Sequence, residues 1–63
     1  MKNSIPEKRK KLGLTQEALA GKCGVSRQTI IAIEQGRFNP SLPLAFLLTR
    51  ALRARKVEEV FDG

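Results

Sequence analysis

Arg27 and Gln28 stand side by side in the stretch SRQTIIAIEQG, and both carry planar side chains able to make paired hydrogen bonds. A guanidinium presents forked donors, and a primary amide presents a donor beside an acceptor, so both suit recognition of flat hydrogen-bonding edges. Neither is a nucleophile. The chain also offers little bond-making chemistry around them, having no histidine and a single cysteine, Cys23. No nucleophile–base constellation, phosphate-cradling loop or metal-ligand set is recognisable, so catalysis, a cofactor and a metal site are not expected. Cys23 has no partner for an internal disulfide and reads as a small buried apolar residue, which suits a reducing compartment.

Lysine and arginine total 12 against 6 aspartates and glutamates, a formal net charge of +6 on 63 residues. On so small a body this favours a polyanionic partner, either nucleic acid or an anionic membrane. The longest apolar run, LPLAFLL, is far shorter than the roughly 20 residues of a membrane span. The opening MKNSIPEKRKK lacks the apolar stretch of a secretory signal. A single cytoplasmic domain over residues 1–63 is therefore expected, with no membrane association and no room for a ligand-sensing module. Three Phe and no Tyr or Trp leave few stacking platforms for RNA.

Arg27 and Gln28 can read an edge only if a framework holds them still. No linker or repeat interrupts the chain, and no segment alternates like a half-buried strand, so the expected fold is all-α with five short helices. Ser4 and Glu7 have capping-box spacing at the first helix, with Pro6 tolerated in the first turn and Gly13 as the stop. Thr15 caps the second helix, which ends at Gly24; Ser26 caps the third, which runs to about Gln35 before Gly36. Ser41 caps a fourth helix whose apolar side is Leu42, Ala45, Phe46, Leu48 and Leu52. KVEEVF closes the chain as a short helix showing Val57, Val60 and Phe61 at i, i+3 and i+4.

QEALAGKCGVSRQTIIAIEQ, residues 16–35, has the layout of a helix-turn-helix. Ala20 is small where two helices must approach, and Gly24 sits where the chain reverses. Leu19, Cys23, Val25, Ile30 and Ile33 fall on the inward faces. At about 100° per residue, Ile30 and Ile33 lie about 60° apart and define the core side of the third helix. Gln28, Ile31, Ala32 and Gln35 then point outward, with Arg27 and Thr29 at the boundary. In such a motif the second helix enters the major groove. There Arg27 can pair with guanine O6 and N7, or merely hold phosphate, and Gln28 can pair with adenine N6 and N7. Ile31 either touches a thymine methyl or is simply exposed. Thr15, Ser26 and Thr29 are hydroxyl donors for phosphate, Ser26 in addition to its cap.

GLTQEALAGKCGVSRQTIIAIEQGRFNPSLPLA resembles the phage-repressor and Cro class, the Xre family, over about residues 2–61 and most densely from Gly13 to Leu44. That resemblance implies a compact lambda-repressor-like domain binding double-stranded operator DNA, with base-reading positions at Arg27, Gln28, Ile31 and Ala32. It also implies phosphate contacts from Gln16, Arg37 and Asn39, and a partly buried ion pair between Arg9 and Glu34. Two departures stand out. Leu47 occupies a position that is commonly polar, leaving the AFLL helix apolar nearly all round and in want of further burial. RARK replaces a segment that usually holds a Gly and a Ser or Asp cap.

The expected assembly is a homodimer through the fourth and fifth helices, with Leu47, Val57, Val60 and Phe61 at its interface. Two-fold symmetry would set two recognition helices about 34 Å apart on a pseudo-palindromic operator. The leading function is a sequence-specific transcriptional regulator that represses by occluding a promoter. The alternative is the antitoxin of a toxin–antitoxin pair, or another protein-interaction module on the same fold.

Overall fold

The computed structural model describes residues 2–62, with Asp62 described by its backbone alone. Its elements are β1 (Lys2–Asn3), α1 (Ile5–Lys11), α2 (Gln16–Cys23), α3 (Arg27–Glu34), α4 (Leu42–Ala51), α5 (Val57–Val60) and β2 (Phe61–Asp62). Three helix starts are written locally. Thr15, Ser26 and Ser41 hold extended backbones, and their hydroxyls accept from the N–H groups of Ala18, Thr29 and Leu44 at 3.0, 3.2 and 3.3 Å. Each cap satisfies an N–H that the first helical turn leaves without a partner.

Four helix ends share one device. The chain turns left-handed, and two backbone N–H groups reach back to carbonyls of the last turn, as when Gly36 donates to Ile33 (3.0 Å) and Arg37 to Ala32 (2.9 Å). Gly13, Gly24 and Gly36 make this turn at φ of 71°, 69° and 76°, where a side chain would be strained. After α4 the same turn falls on Arg53 at φ 58°, with Arg53 donating to Arg50 and Ala54 to Thr49, both at 3.0 Å. Arg53 thus does without the glycine that the family resemblance leads one to expect. Arg53→Gly is expected to raise the unfolding free energy by about 0.5–1 kcal/mol, because the left-handed penalty outweighs the added freedom of the unfolded chain. A thermal melt should register this as roughly 3–6 °C; a lower melting temperature would show that the Arg53 side chain contributes more than its backbone costs.

Every helix sends a fully buried side chain to one core: Ile5 from α1, Leu19 from α2, Ile30 and Ile33 from α3, Leu48 from α4 and Val60 from α5. Cys23 is buried beside them, and burial pushes its thiol pKa up, so it stays protonated and inert at neutral pH. On α4 the buried stripe is Ala45, Leu48, Thr49 and Leu52; the Thr49 hydroxyl is satisfied by donating to the Ala45 carbonyl at 2.8 Å. Leu42 and Phe46, expected inside, are instead 65% and 52% exposed, because α2 and α5 cover α4 only along that stripe.

The two ends of the chain differ most from expectation. β1 and β2 pair antiparallel, Lys2 opposite Asp62 and Asn3 opposite Phe61. The Ser4 N–H donates to the Val60 carbonyl at 2.8 Å, and the Ser4 hydroxyl donates to the Glu59 carbonyl at 2.9 Å. Ser4 therefore makes no side-chain cap, and the Asn3 carboxamide oxygen accepts from the Ile5 N–H at 3.1 Å in its place. Phe61 leaves the helix and lies in β2. Val60 and Phe61 must accordingly be withdrawn from the expected dimer interface: the end-to-end pairing seals both into the protomer's own core. Among the described residues no helix is long and apolar enough to cross a membrane.

Candidate nucleic-acid interface

A short helix can present side chains reproducibly only if its other face is fastened. Ile30 and Ile33 do this for α3, at 0% and 1% exposure, while Arg27 and Gln28 at its N-terminal end are open to solvent. Ile31 and Ala32 are half-buried on the next turn, and Gln35 is exposed at its end. Of the three isoleucines in IIAI, two are structural and one borders the outward face.

A polar network locks α3 to α1 and α2. The Arg9 Nε donates to a Glu34 carboxylate oxygen at 2.8 Å, and its terminal nitrogens donate to the Leu14 carbonyl (2.9 Å) and the other Glu34 oxygen (3.5 Å). The Gln16 amide donates to Glu34 at 3.1 Å. The side chains of Arg9 and Glu34 are only 12% and 7% exposed, so this is the partly buried pair implied by the resemblance. Gln16, expected at phosphate, spends one of its two amide hydrogens on Glu34, and the amide retains a second hydrogen.

Around this network Arg9, Thr15, Gln16, Glu17 and Arg27 line an open cleft of about 440 Å³ between the starts of α2 and α3. Unpaired N–H groups and the positive end of a helix dipole make such a rim favourable to anions. The Ser26 and Thr29 hydroxyls lie 3.0 Å apart, one donating to the other, so one hydroxyl hydrogen of the pair remains for an outside acceptor. Arg37 and Asn39 are exposed in the turn after α3, and the backbone N–H of Arg37 forms part of the stop that ends that helix. Leu47 is 43% exposed and Val57 half-buried, so both retain surface for a partner.

Sequence reasoning missed Lys2, Asn3 and Phe38. The Asn3 amide donates to the Ile33 carbonyl at 2.8 Å, tying β1 to the end of α3, and Lys2 lines a cleft with Glu34, Gln35 and Gly36. Nothing local signals a bond between residues 30 positions apart. Phe38 is half exposed between Arg37 and Asn39, and a lone aromatic in a loop gave no pattern to read.

Residues 5–60 match the Helix-turn-helix family model. An uncharacterised HTH-type transcriptional regulator of Methanothermobacter thermautotrophicus is 56% identical over 61 residues, covering 97% of this chain and 88% of that protein. The uncharacterised HTH-type transcriptional regulator YgzD of Bacillus subtilis is 46% identical over 61 residues, covering 97% and 91%. Among solved structures, the restriction-modification controller protein C.AhdI from Aeromonas hydrophila superposes with a TM-score of 0.81 at 35% identity, over 90% of this chain and 85% of that one.

Proposed function

This chain belongs to the helix-turn-helix family of DNA-binding transcriptional regulators, and we propose that it acts in the cytoplasm as a homodimeric repressor that sets α3 in the major groove. The observation that carries this reading is the contrast within α3. Its inner face is sealed by Ile30 and Ile33, while Arg27 and Gln28 are open to solvent and Arg27 lines the cleft at the start of α2. In this reading Arg27 and Gln28 read base edges, Ile31 and Ala32 meet the groove wall, and Thr15, Gln16, Ser26, Thr29, Arg37 and Asn39 hold phosphates. Repression follows from occupancy: a bound dimer spanning a pseudo-palindrome covers promoter DNA.

Selection of binding sites from random duplexes is the deciding experiment, and a palindromic consensus is the expected result. A dimer making about eight phosphate contacts should then show a log–log salt slope near −7. Arg27→Ala should cost about 1–3 kcal/mol at one base position while leaving the others ranked as before. Arg37→Ala should weaken every sequence alike and flatten the slope by about one unit for each phosphate that is no longer neutralised. Failure to enrich any duplex, or a salt-independent affinity, would remove the proposal.

A further inference from the structure

We propose that Lys2 holds a backbone phosphate of the operator duplex in the cleft between β1 and the end of α3. This rests on the DNA-binding reading above and adds a cation to the phosphate contacts assigned there to Arg37 and Asn39. The cleft has a volume of about 380 Å³ and is lined by Lys2, Asn3, Glu34, Gln35 and Gly36. Lys2 and Gln35 are exposed, and Gly36 leads directly into exposed Arg37.

A lysine acts at a fixed place only if its backbone is held there, and β1 is fastened on two sides. It pairs with β2, Lys2 opposite Asp62, and the next N–H along, that of Ser4, donates to the Val60 carbonyl at 2.8 Å. Asn3 ties the same strand to the helices. Its amide donates to the Ile33 carbonyl at 2.8 Å, and its carboxamide oxygen accepts from the Ile5 N–H at 3.1 Å. What stays free is the four-carbon stem of Lys2 and its ammonium group, which can donate in three directions.

The carboxylate in the cleft does not compete for that ammonium. Glu34 is 7% exposed and already accepts from Arg9 at 2.8 Å and from Gln16 at 3.1 Å. Glu58 and Glu59 share a neighbouring cleft with Lys2, yet among the described residues the only ion pair is Arg9–Glu34. Lys2 therefore carries an unmatched charge. A helix end ordinarily repels an anion through its unpaired carbonyls. Here the carbonyls of Ile31 and Ala32 accept from the N–H groups of Gln35 and Arg37, and that of Ile33 accepts from both the Gly36 N–H and the Asn3 amide. Covering these three weakens the repulsion a phosphate would meet.

Binding to the selected duplex over a range of salt concentrations tests the contact. Lys2→Ala should weaken binding roughly fivefold for each protomer at about 0.15 M salt and flatten the log–log slope by about 0.9 for each. Unrelated duplexes should lose as much, and Lys2→Arg should restore both quantities. Lys22→Ala removes the same charge at the far end of α2, where Lys22 is exposed, and should change the slope far less. Neutral methylphosphonates placed along the backbone one position at a time locate the phosphate. At one position in each half-site the wild-type chain should fall to the affinity of Lys2→Ala, and Lys2→Ala should not respond. Wild-type chain that binds no duplex would overturn the DNA-binding reading itself. Wild-type chain that binds, while Lys2→Ala matches Lys22→Ala in affinity and slope, would overturn this contact alone. A lowered melting temperature for Lys2→Ala with an unchanged slope would also overturn it, placing Lys2 with Glu58 and Glu59 instead.

Discussion

Replacing Ile30 with alanine is expected to cost about 2–5 kcal/mol of unfolding free energy, while the same change at neighbouring Ile31 should cost less than about 1 kcal/mol. The two residues are adjacent, identical in chemistry and on one helix, so propensity and unfolded-state effects nearly cancel in the comparison. What differs is surroundings. Ile30 is fully buried where α3 meets the core, and its truncation leaves a cavity that the neighbouring helices cannot easily close. Ile31 is half-buried on the other side, so its truncation removes less packing. A 63-residue domain has about 3–9 kcal/mol of stability in total, so Ile30→Ala should leave a substantial unfolded population. Urea titrations followed by circular dichroism give both values. Equal costs would mean that α3 is seated differently. In DNA binding the order should invert: folded Ile31→Ala should lose discrimination at one thymine if the methyl contact is made, without weakening phosphate-driven binding.

Glu34→Ala is expected to have an effect of comparable size, about 2–4 kcal/mol, because it strands more than one partner. Arg9 would keep a guanidinium that is nearly out of solvent without its carboxylate, and the Gln16 amide would lose its acceptor. Removing one side of a fully buried pair costs about 3–5 kcal/mol, and the residual exposure of both side chains shifts the expected cost about 1 kcal/mol below that. Replacing both members, Arg9→Met with Glu34→Leu, should recover much of the loss, since a well-packed apolar pair carries no stranded charge. The double-mutant cycle should therefore show strong coupling. A cost below about 1 kcal/mol for Glu34→Ala would mean the pair behaves as a surface contact. Glu34→Ala should also reduce affinity for all duplexes alike, because Gln16 is no longer held at the start of α2.

Much of the recognition unit was legible along the chain because its determinants are local. Thr15, Ser26 and Ser41 cap the next helix within three residues, and Gly13, Gly24 and Gly36 end the preceding one. Helical periodicity separated Ile30 and Ile33 from Ile31, since a 3.6-residue repeat fixes which side chains share a face. The Arg9–Glu34 pair came from family resemblance; no spacing rule connects residues 25 apart.

The sequence by itself determined the limits of α2 and α3, the start of α4, the helix-turn-helix and the exposure of neighbouring Arg27 and Gln28, because each depends on residues a few positions away. Tertiary structure alone decided where the ends of the chain go. Ser4 has the spacing of a capping residue, yet its hydroxyl goes to Glu59, 55 positions on. Phe61 continues a helical pattern, yet pairs with Asn3 in a strand and is buried. Phe46 looks like core and faces outward, because only packing chooses which stripe of a broadly apolar helix is covered. Those outcomes hinge on contacts between residues far apart in sequence, where a local preference of under about 1 kcal/mol is outweighed by burial and hydrogen bonding.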